Sequence, residues 1–164
     1  MLPITWTTHL ADDAATDALG ARLAAAVRAA QAPIAREGLI ITLEGPLGSG
    51  KTALVRALLR ASGVSGPIKS PTFAVLEPYV ISSLNFYHFD FYRFSDPRVF
   101  SNMGFRELIG PGNICAIEWA ERVAAYLPMA DLKVVLSILD QGRDVQFEAY
   151  SERGALCLEA IRKA

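Results

Sequence analysis

The sequence predicts an α/β fold in which helices cover a central mixed β-sheet. An apolar run at residues 39–43 is followed by a glycine-rich stretch and then by leucines at helical spacing, the order of a strand, a loop and a helix. Two β-rich stretches, residues 73–80 and 85–91, are separated by a few polar residues and predict an antiparallel hairpin.

The chain before the apolar run predicts one strand and one helix. Residues 4–9 can form a short first strand. Asp12 or Asp13 can cap an alanine-rich helix whose apolar side chains fall on one stripe. We expect this helix to end near Pro33, because proline interrupts a helix interior.

Residues 45–52 read GPLGSGKT and fit the phosphate-binding pattern G-x-x-x-x-G-K-[ST] between a strand and a helix. In that position the backbone N–H groups turn toward a polyphosphate, and the helix N-terminus adds partial positive charge. Lys51 is predicted to reach the β- and γ-phosphates and the Thr52 hydroxyl to bind Mg²⁺. The predicted fold is therefore a three-layer domain of the P-loop NTPase type. The loop residues expected to hold the nucleotide are Gly48, Ser49, Gly50, Lys51, Thr52 and Ala53.

The second half of the chain predicts further strands and a final helix. Residues 95–112 mix Pro, Gly and short apolar pieces, so we expect short helices and loops near the site rather than core, and a candidate mobile cover. Residues 113–117 predict a short apolar strand. Residues 133–139 and 144–150 predict two more, joined through a Gln-Gly turn, and a helix is expected at about residues 155–162.

Composition limits the class of protein. A chain of 164 residues with 52% hydrophobic and 20% charged residues predicts a single domain, residues 1–164. A formal net charge of −1 offers no bulk attraction to nucleic acid or anionic membrane, so contact with RNA is expected to be local or indirect. The two cysteines, Cys115 and Cys157, lack zinc-site or disulfide spacing. With no signal-peptide pattern and no bilayer-length apolar run, we expect a soluble cytoplasmic protein.

Two acidic residues are candidates for the chemistry of a nucleotide site. Glu118 ends an apolar strand, where a carboxylate can hold Mg²⁺; the alternative is a charge that faces solvent. Asp90 shares a strand face with His88 and Tyr92, and a bare carboxylate on an apolar face is costly unless paired or metal-linked. An ion pair with Arg93 or another basic residue is its alternative, and His88 itself is expected to be a satisfied structural histidine.

Other polar residues near the loop are more ambiguous. Ser70 and Thr72 follow the phosphate-loop helix, where P-loop enzymes carry a segment that senses the γ-phosphate, although Pro71 makes a rigid turn the simpler interpretation. Trp119 can belong to the core, a partner surface or a cover over the substrate. Arg143 can contact a phosphate or the base, but an arginine in a hairpin turn is usually only solvated.

The order of these motifs resembles one family closely. The phosphate loop is followed by KSPTF at residues 69–73, HFDFYR at 88–93, a Gly at 104 and IEWAER at 117–122. Together they resemble the TsaE (YjeE) family of ATPases in bacterial tRNA threonylcarbamoyladenosine biosynthesis, over about residues 8–150. The resemblance implies a small ATPase that works with TsaB and TsaD, the pair that modifies adenosine 37 of tRNA. ATP binding would promote association with the pair, and hydrolysis would reset the complex.

The same resemblance implies roles for individual residues. Lys51, Asp90 and Glu118 would be catalytic, and Thr52 and Glu118 would bind Mg²⁺. Trp119 would lie close to the nucleotide, with Ser70 and Thr72 in the switch-like loop. The start of the first helix, Asp13 to Thr16, would lie near the adenine.

The loop departs from the family's common G-D-L-G-A-G-K-T at two positions. Ser49 replaces an alanine at a position that mainly contributes backbone. Pro46 replaces the acidic residue, lacks an N–H and is expected to alter affinity or rate. Two other functions stay open: a small-molecule kinase with residues 100–106 as a lid and Asp90 as base, and a nucleotide-gated binding module with incidental ATPase activity.

Overall fold

Seven strands form one mixed sheet in the computed structural model, which describes residues 3–164. The sheet order is β1-β7-β6-β2-β5-β4-β3, with parallel pairing among β6, β2, β5 and β4 and antiparallel pairing beyond them. This confirms the predicted α/β class, the mixed sheet and the hairpin. The strands are β1 (Ile4–Leu10), β2 (Leu39–Glu44), β3 (Leu76–Ile81), β4 (Leu84–Asp90), β5 (Asn113–Glu118), β6 (Leu132–Ile138) and β7 (Arg143–Ala149).

Three longer helices pack beside one another on one face of the sheet. They are α1 (Asp13–Ala29), α3 (Lys51–Ala61) and α5 (Glu152–Lys163). The Asp12 carboxylate caps α1 by accepting from the N–H of Ala15 at 2.9 Å. Shorter helices are α2 (Gln31–Glu37) and α4 (Val99–Asn102), and 3₁₀ turns occur at Phe105–Leu108 and Ala120–Tyr126.

The sequence predicted that the first helix would end near Pro33, but Pro33 is not the residue that ends it. The helix α1 stops at Ala29, and Pro33 lies in the first turn of α2. Backbone N–H groups in a first turn have no partner within the helix, so a proline there loses no hydrogen bond.

Successive side chains of the central strands lie alternately in two hydrophobic cores, one on each face of the sheet. On β5, Ile114 and Ala116 join the core under α1, α3 and α5, whereas Cys115 and Ile117 join the second core. The second core is rich in phenylalanine: Phe89, Phe91, Phe100 and Phe105 make mutual ring contacts with centroids 5.1–6.1 Å apart.

Residues 95–112 belong partly to this second core, so the expectation that they lie outside it is wrong. Phe100 is fully buried and Phe105 is 6% exposed. The prolines and glycines of the segment do produce short helical turns, but its two phenylalanines pack those turns against Phe89 of β4 and against Phe91, which directly follows β4.

The hairpin formed by β3 and β4 closes one side of the sheet. The strand β3 starts at Leu76, later than predicted, because residues 71–74 form a turn and Val75 has a φ of +70°. Pro78 lies in β3, opposite Tyr87 on β4. Since β3 pairs with β4 alone, it is an edge strand.

Asp131 ties the sheet to α5 at the end opposite the phosphate loop. Its carboxylate accepts from the backbone N–H of Ile40 at 2.8 Å and from Nη2 of Arg153 at 2.9 Å. Its carbonyl accepts from the N–H of Tyr150 at 2.9 Å and lies so close to Gly154 that a Cβ there would overlap it. Within residues 3–164, no helix has the length and hydropathy of a bilayer span.

Both cysteines are free and buried, and burial raises the pKa of each thiol to about 12. The folded state therefore holds these protons more tightly than the unfolded state, in which a thiol has its ordinary pKa of 9.0. Their contribution to stability is full below that value and declines as the pH rises from 9.0 toward about 12.

We therefore expect Cys115 and Cys157 to resist iodoacetamide at pH 8 in the native protein and to react in urea. Mass spectrometry of labelled protein measures this directly. Rapid native labelling would contradict it, and a urea midpoint that rose between pH 9 and pH 11 would contradict the sign of the linkage.

Candidate functional site

Predicted site residues lie at or just after the carboxyl ends of three parallel strands, along one edge of the sheet. The strand β2 ends at Glu44 and leads into the phosphate loop, while β5 ends at Glu118 and β4 at Asp90. The register pairs Glu118 with Leu43 on one side and with Asp90 on the other. Carboxyl ends of parallel strands are the usual ligand-binding edge of an α/β sheet.

The last residues of the phosphate loop form the N-terminus of α3. Gly50 caps this helix with a φ of +102°, a conformation that glycine adopts without strain. A Cβ at this position would also overlap the guanidinium of Arg143, whose Nη1 donates to the Ser49 carbonyl at 2.7 Å. Arg143 is thus packed on the loop and is not merely solvated.

Pro46 supplies a carbonyl to the loop although it has no N–H. That oxygen accepts from the N–H of Ser49 at 3.1 Å and from Nζ of Lys51 at 3.3 Å. Lys51 also donates to the Gly45 carbonyl, and its Nζ lies 4.5 Å from the centroid of the Trp119 ring. The ammonium group is therefore held by neutral acceptors and an aromatic face at the floor of the loop.

The hydroxyl of Thr52 and the carboxylate of Glu118 form one cluster with His88. Thr52 Oγ1 lies 2.8 Å from Oε2 and 3.0 Å from Oε1 of Glu118. His88 Nε2 lies 2.6 Å from the same Oε2, and the His88 and Glu118 side chains are 1% and 4% exposed. Glu118 therefore does not face solvent, the alternative that its strand-end position left open.

Asp90 lies beside this cluster at the end of β4. Its Oδ1 accepts from the N–H of Tyr92 at 2.8 Å, and its Oδ2 lies 3.4 Å from Thr72 Oγ1. Burial raises the pKa of the Asp90 carboxyl above its ordinary value, the Tyr92 N–H opposes that shift, and the charge of Glu118 adds to it.

Arg93 does not provide the ion pair that the sequence offered as the alternative for Asp90. Within residues 3–164 no salt bridge joins the two, and the Arg93 guanidinium lies 4.7 Å from the centroid of the Phe73 ring. Phe73 itself is 81% exposed. Ser70 and Thr72 join their hydroxyls at 2.7 Å, and only Thr72 lines the cavity.

Trp119 holds a strained position at the mouth of the site. Its φ of +57° and ψ of 40° place a bulky residue in the left-handed region, which costs free energy and is concentrated at functional positions. This left-handed conformation turns the chain after Glu118, and the Trp119 ring faces Lys51 and contacts the Tyr92 ring in a tilted arrangement, with centroids 4.8 Å apart and an interplanar angle of 48°.

These residues line one cavity of about 370 Å³, within the size range of small-ligand sites. Every predicted nucleotide or catalytic residue except Ser70 contributes to its wall. The lining residues are Asp13, Leu47, Gly48, Ser49, Gly50, Lys51, Thr52, Ala53, Thr72, Asp90, Tyr92, Glu118, Trp119 and Arg143.

The donor set fits a nucleotide with a hard divalent cation. Thr52 and Glu118 offer hydroxyl and carboxylate oxygens, the ligands that Mg²⁺ prefers when substrate phosphates complete its shell. Within residues 3–164 no three His, Cys, Asp or Glu side chains gather as a metal site, so the protein alone does not supply an all-protein cage.

Sequence reasoning missed the role of His88 and the wall position of Tyr92. His88 is hydrogen-bonded through Nε2 but is not fully satisfied as expected, because its buried Nδ1 has no hydrogen-bond partner among the described residues. Its contact with Glu118 depends on the register of β4 against β5, which no local pattern shows.

Comparison with known proteins identifies the family. A family model described as "Threonylcarbamoyl adenosine biosynthesis protein TsaE" matches residues 10–146. The tRNA threonylcarbamoyladenosine biosynthesis protein TsaE of Haemophilus influenzae is 37% identical over 125 residues, covering 76% of this chain and 79% of that protein. The protein of the same name from Bacillus subtilis is 31% identical over 133 residues, covering 80% and 83%.

A solved structure agrees with the sequence relatives. The crystal structure of Bacillus subtilis YdiB matches with a TM-score of 0.77 and 26% identity, covering 99% of this chain and 97% of that chain. This match confirms the predicted P-loop NTPase type of fold. Because the family model and the relatives each span most of the sequence, the chain belongs to the TsaE family.

Proposed function

We propose that this protein is a Mg²⁺-dependent ATPase that takes part in tRNA threonylcarbamoyladenosine biosynthesis. The observation that carries the proposal is the convergence of Lys51, Thr52, Asp90 and Glu118 on one cavity at the phosphate loop. The pathway is supported by the printed names of the relatives from Haemophilus influenzae and Bacillus subtilis.

ATP would bind through the loop and the start of α3. Backbone N–H groups of residues 48–53 and the Lys51 ammonium would hold the phosphates, with Arg143 supporting the loop from the Ser49 carbonyl. Asp13 and Trp119 line the same cavity and would flank the rest of the nucleotide. Thr52 and Glu118 would hold Mg²⁺, which neutralises developing charge on the phosphates when bound.

Asp90 would orient the attacking water and receive its proton. In the proposed step a water oxygen bonds to the γ-phosphorus, the bond from that phosphorus to the bridging oxygen breaks, and ADP and phosphate leave. The raised pKa of Asp90 moves its basicity toward the pH of the cell, which favours general-base work. Thr72 contacts Asp90 and Ser70 contacts Thr72, so both would sense the state of the γ-phosphate.

The partners we propose are TsaB and TsaD, with tRNA contact indirect or local. The exposed Phe73 ring lies one residue from Thr72, so a change at the phosphate end of the cavity would be felt at this surface. The formal net charge of −1 supports binding to partner proteins over bulk attraction to RNA. We propose a cytoplasmic location on the basis of the tRNA-modification role.

The exposed Phe73 also favours a second candidate, a nucleotide-gated binding module. In that case ATP binding alone would recruit partners and turnover would be incidental. No observation favours a metabolite kinase, because Phe100 and Phe105 of its expected lid are packed in the second core.

An ATPase assay with and without TsaB and TsaD of the same cell tests the proposal. Stimulation of hydrolysis by the pair, without phosphate transfer to a metabolite, is the expected result. Absence of hydrolysis in both arms would contradict the ATPase assignment, and phosphorylation of a small molecule without the pair would favour the kinase.

Asp90→Asn is expected to lower ATP turnover by about 100-fold, because an amide cannot accept the proton of the attacking water. Nucleotide affinity is expected to stay within about twofold, since the phosphate loop is untouched. Steady-state kinetics and ADP titration measure the two effects. Asp96→Asn, at an exposed carboxylate paired with Arg98, is the matched control. Full tRNA modification by Asp90→Ala would favour the binding module instead.

A further inference from the structure

His88 is a buried ionisable residue on a face of β4 that is apolar up to this position and ends in Asp90. The inward side chains beside it, Phe86 on the same strand and Ile114 and Ala116 on β5, all belong to the main core. His88 is 1% exposed, and among residues 3–164 its ring makes one hydrogen bond, from Nε2 to Oε2 of Glu118 at 2.6 Å. The polar contact that compensates the burial of the His88 ring is therefore the one with Glu118.

The direction of this hydrogen bond follows from the groups that meet there. A carboxylate oxygen can only accept, so the shared proton belongs to His88 Nε2. The other ring nitrogen, Nδ1, is buried and without a partner among residues 3–164. A neutral ring protonated on Nε2 leaves only an acceptor lone pair unpaired there, whereas a proton on Nδ1 would bury an unpaired donor.

We propose that His88 is a positioning residue that fixes the Glu118 carboxylate for Mg²⁺, an inference that rests on the proposed function. By donating to Oε2, His88 fixes the rotation of the carboxylate, and Oε1 keeps its contact with Thr52 alone. Groups that hydrogen-bond to a metal ligand set its orientation and affinity. An apolar side chain would satisfy the core better at this position, since it would leave no unpaired polar atom.

Titration of hydrolysis with Mg²⁺ tests the proposal through two variants. His88→Leu is expected to raise the half-saturating Mg²⁺ concentration about 10-fold and to lower turnover, with ATP affinity nearly unchanged. His88→Gln keeps an N–H donor and is expected to recover part of the loss. In a Glu118→Gln background, His88→Leu is expected to add no further loss. The other histidine, His9, is 48% exposed and paired with Asp144, so His9→Gln is the matched control.

Wild-type Mg²⁺ dependence in His88→Leu would overturn the proposal. So would an equal loss from this variant in the Glu118→Gln background, because the residue would then act elsewhere. Failure of the wild-type protein to hydrolyse ATP would instead contradict the proposed function.

Imidazole ¹⁵N NMR of the wild-type protein supplies a readout that needs neither hydrolysis nor a stable variant. The chain has two histidines, so the His9→Gln spectrum assigns the His88 ring. We expect the proton on Nε2 and a shift of the Nε2 resonance in Glu118→Ala. A proton on Nδ1 would overturn the inference. So would an Nε2 resonance that stays unchanged in Glu118→Ala.

Discussion

Lys51→Ala is expected to lower kcat/KM for ATP hydrolysis by about 1,000-fold, the scale of removing a charge that faces the developing charge of a transition state. In this structure the ammonium is held by the carbonyls of Gly45 and Pro46 and by the Trp119 ring. None of these partners is an anion, so a polyphosphate would compete well for the lysine. Alanine removes both the phosphate contact and the positive charge of the loop.

Steady-state hydrolysis and titration with ADP measure the two parts of this loss. Lys163→Ala removes an exposed lysine that pairs with Glu159 at 3.1 Å, and it is expected to hydrolyse ATP at the wild-type rate. Hydrolysis by Lys51→Ala within a few fold of wild type would contradict the role of the loop. The thermal midpoint of both variants checks that the fold is intact.

Gly154→Ala is expected to destabilise the fold by about 2 kcal/mol, the opposite of what helix propensity predicts. Alanine normally stabilises a helix by about 1 kcal/mol over glycine. Here the added Cβ would overlap the backbone carbonyl of Asp131, which is fixed by its bond to Tyr150. Relief of the clash requires α5 to move away from the sheet, and this weakens the contact between Arg153 and Asp131.

Urea denaturation of Gly154→Ala measures the free energy of unfolding. Glu159→Ala, an exposed change in the same helix, is the control and is expected to shift stability by less than about 0.5 kcal/mol. A Gly154→Ala protein as stable as wild type would contradict the prediction, because the carbonyl of Asp131 could then move aside to admit the added Cβ.

Local patterns were enough to predict the fold class and the order of the strands and longer helices. The phosphate loop is contiguous, so its strand, turn and helix could all be predicted from residues 39–59. Glu118 could be chosen because it ends an apolar strand, and Asp90 because a carboxylate on a strand face is costly unless it is paired or metal-linked. The helix α2 could not be predicted, because a first-turn proline and a helix-ending proline look alike in sequence.

The parts that escaped prediction depend on contacts between distant segments. Residues 95–112 predict a loop because Pro and Gly dominate their local pattern, whereas Phe100 and Phe105 are positioned by contacts with the rings of Phe91 and Phe89. Asp131 lies just before a strand with no motif around it, and its role depends on Ile40 and Arg153. Arg143 reaches Ser49 across 94 positions of sequence.

Pro78 in the edge strand bears on how the protein behaves at high concentration. An exposed edge invites another chain to add a strand through its free N–H and C=O groups, and this is a common start of aggregation. Proline is tolerated in an edge strand where its nitrogen points away from the neighbouring strand. At Pro78 the row of outward donors is therefore broken near the middle of a six-residue strand. The hairpin that closes the sheet beside the nucleotide cavity thus also blocks continuous pairing with a second molecule.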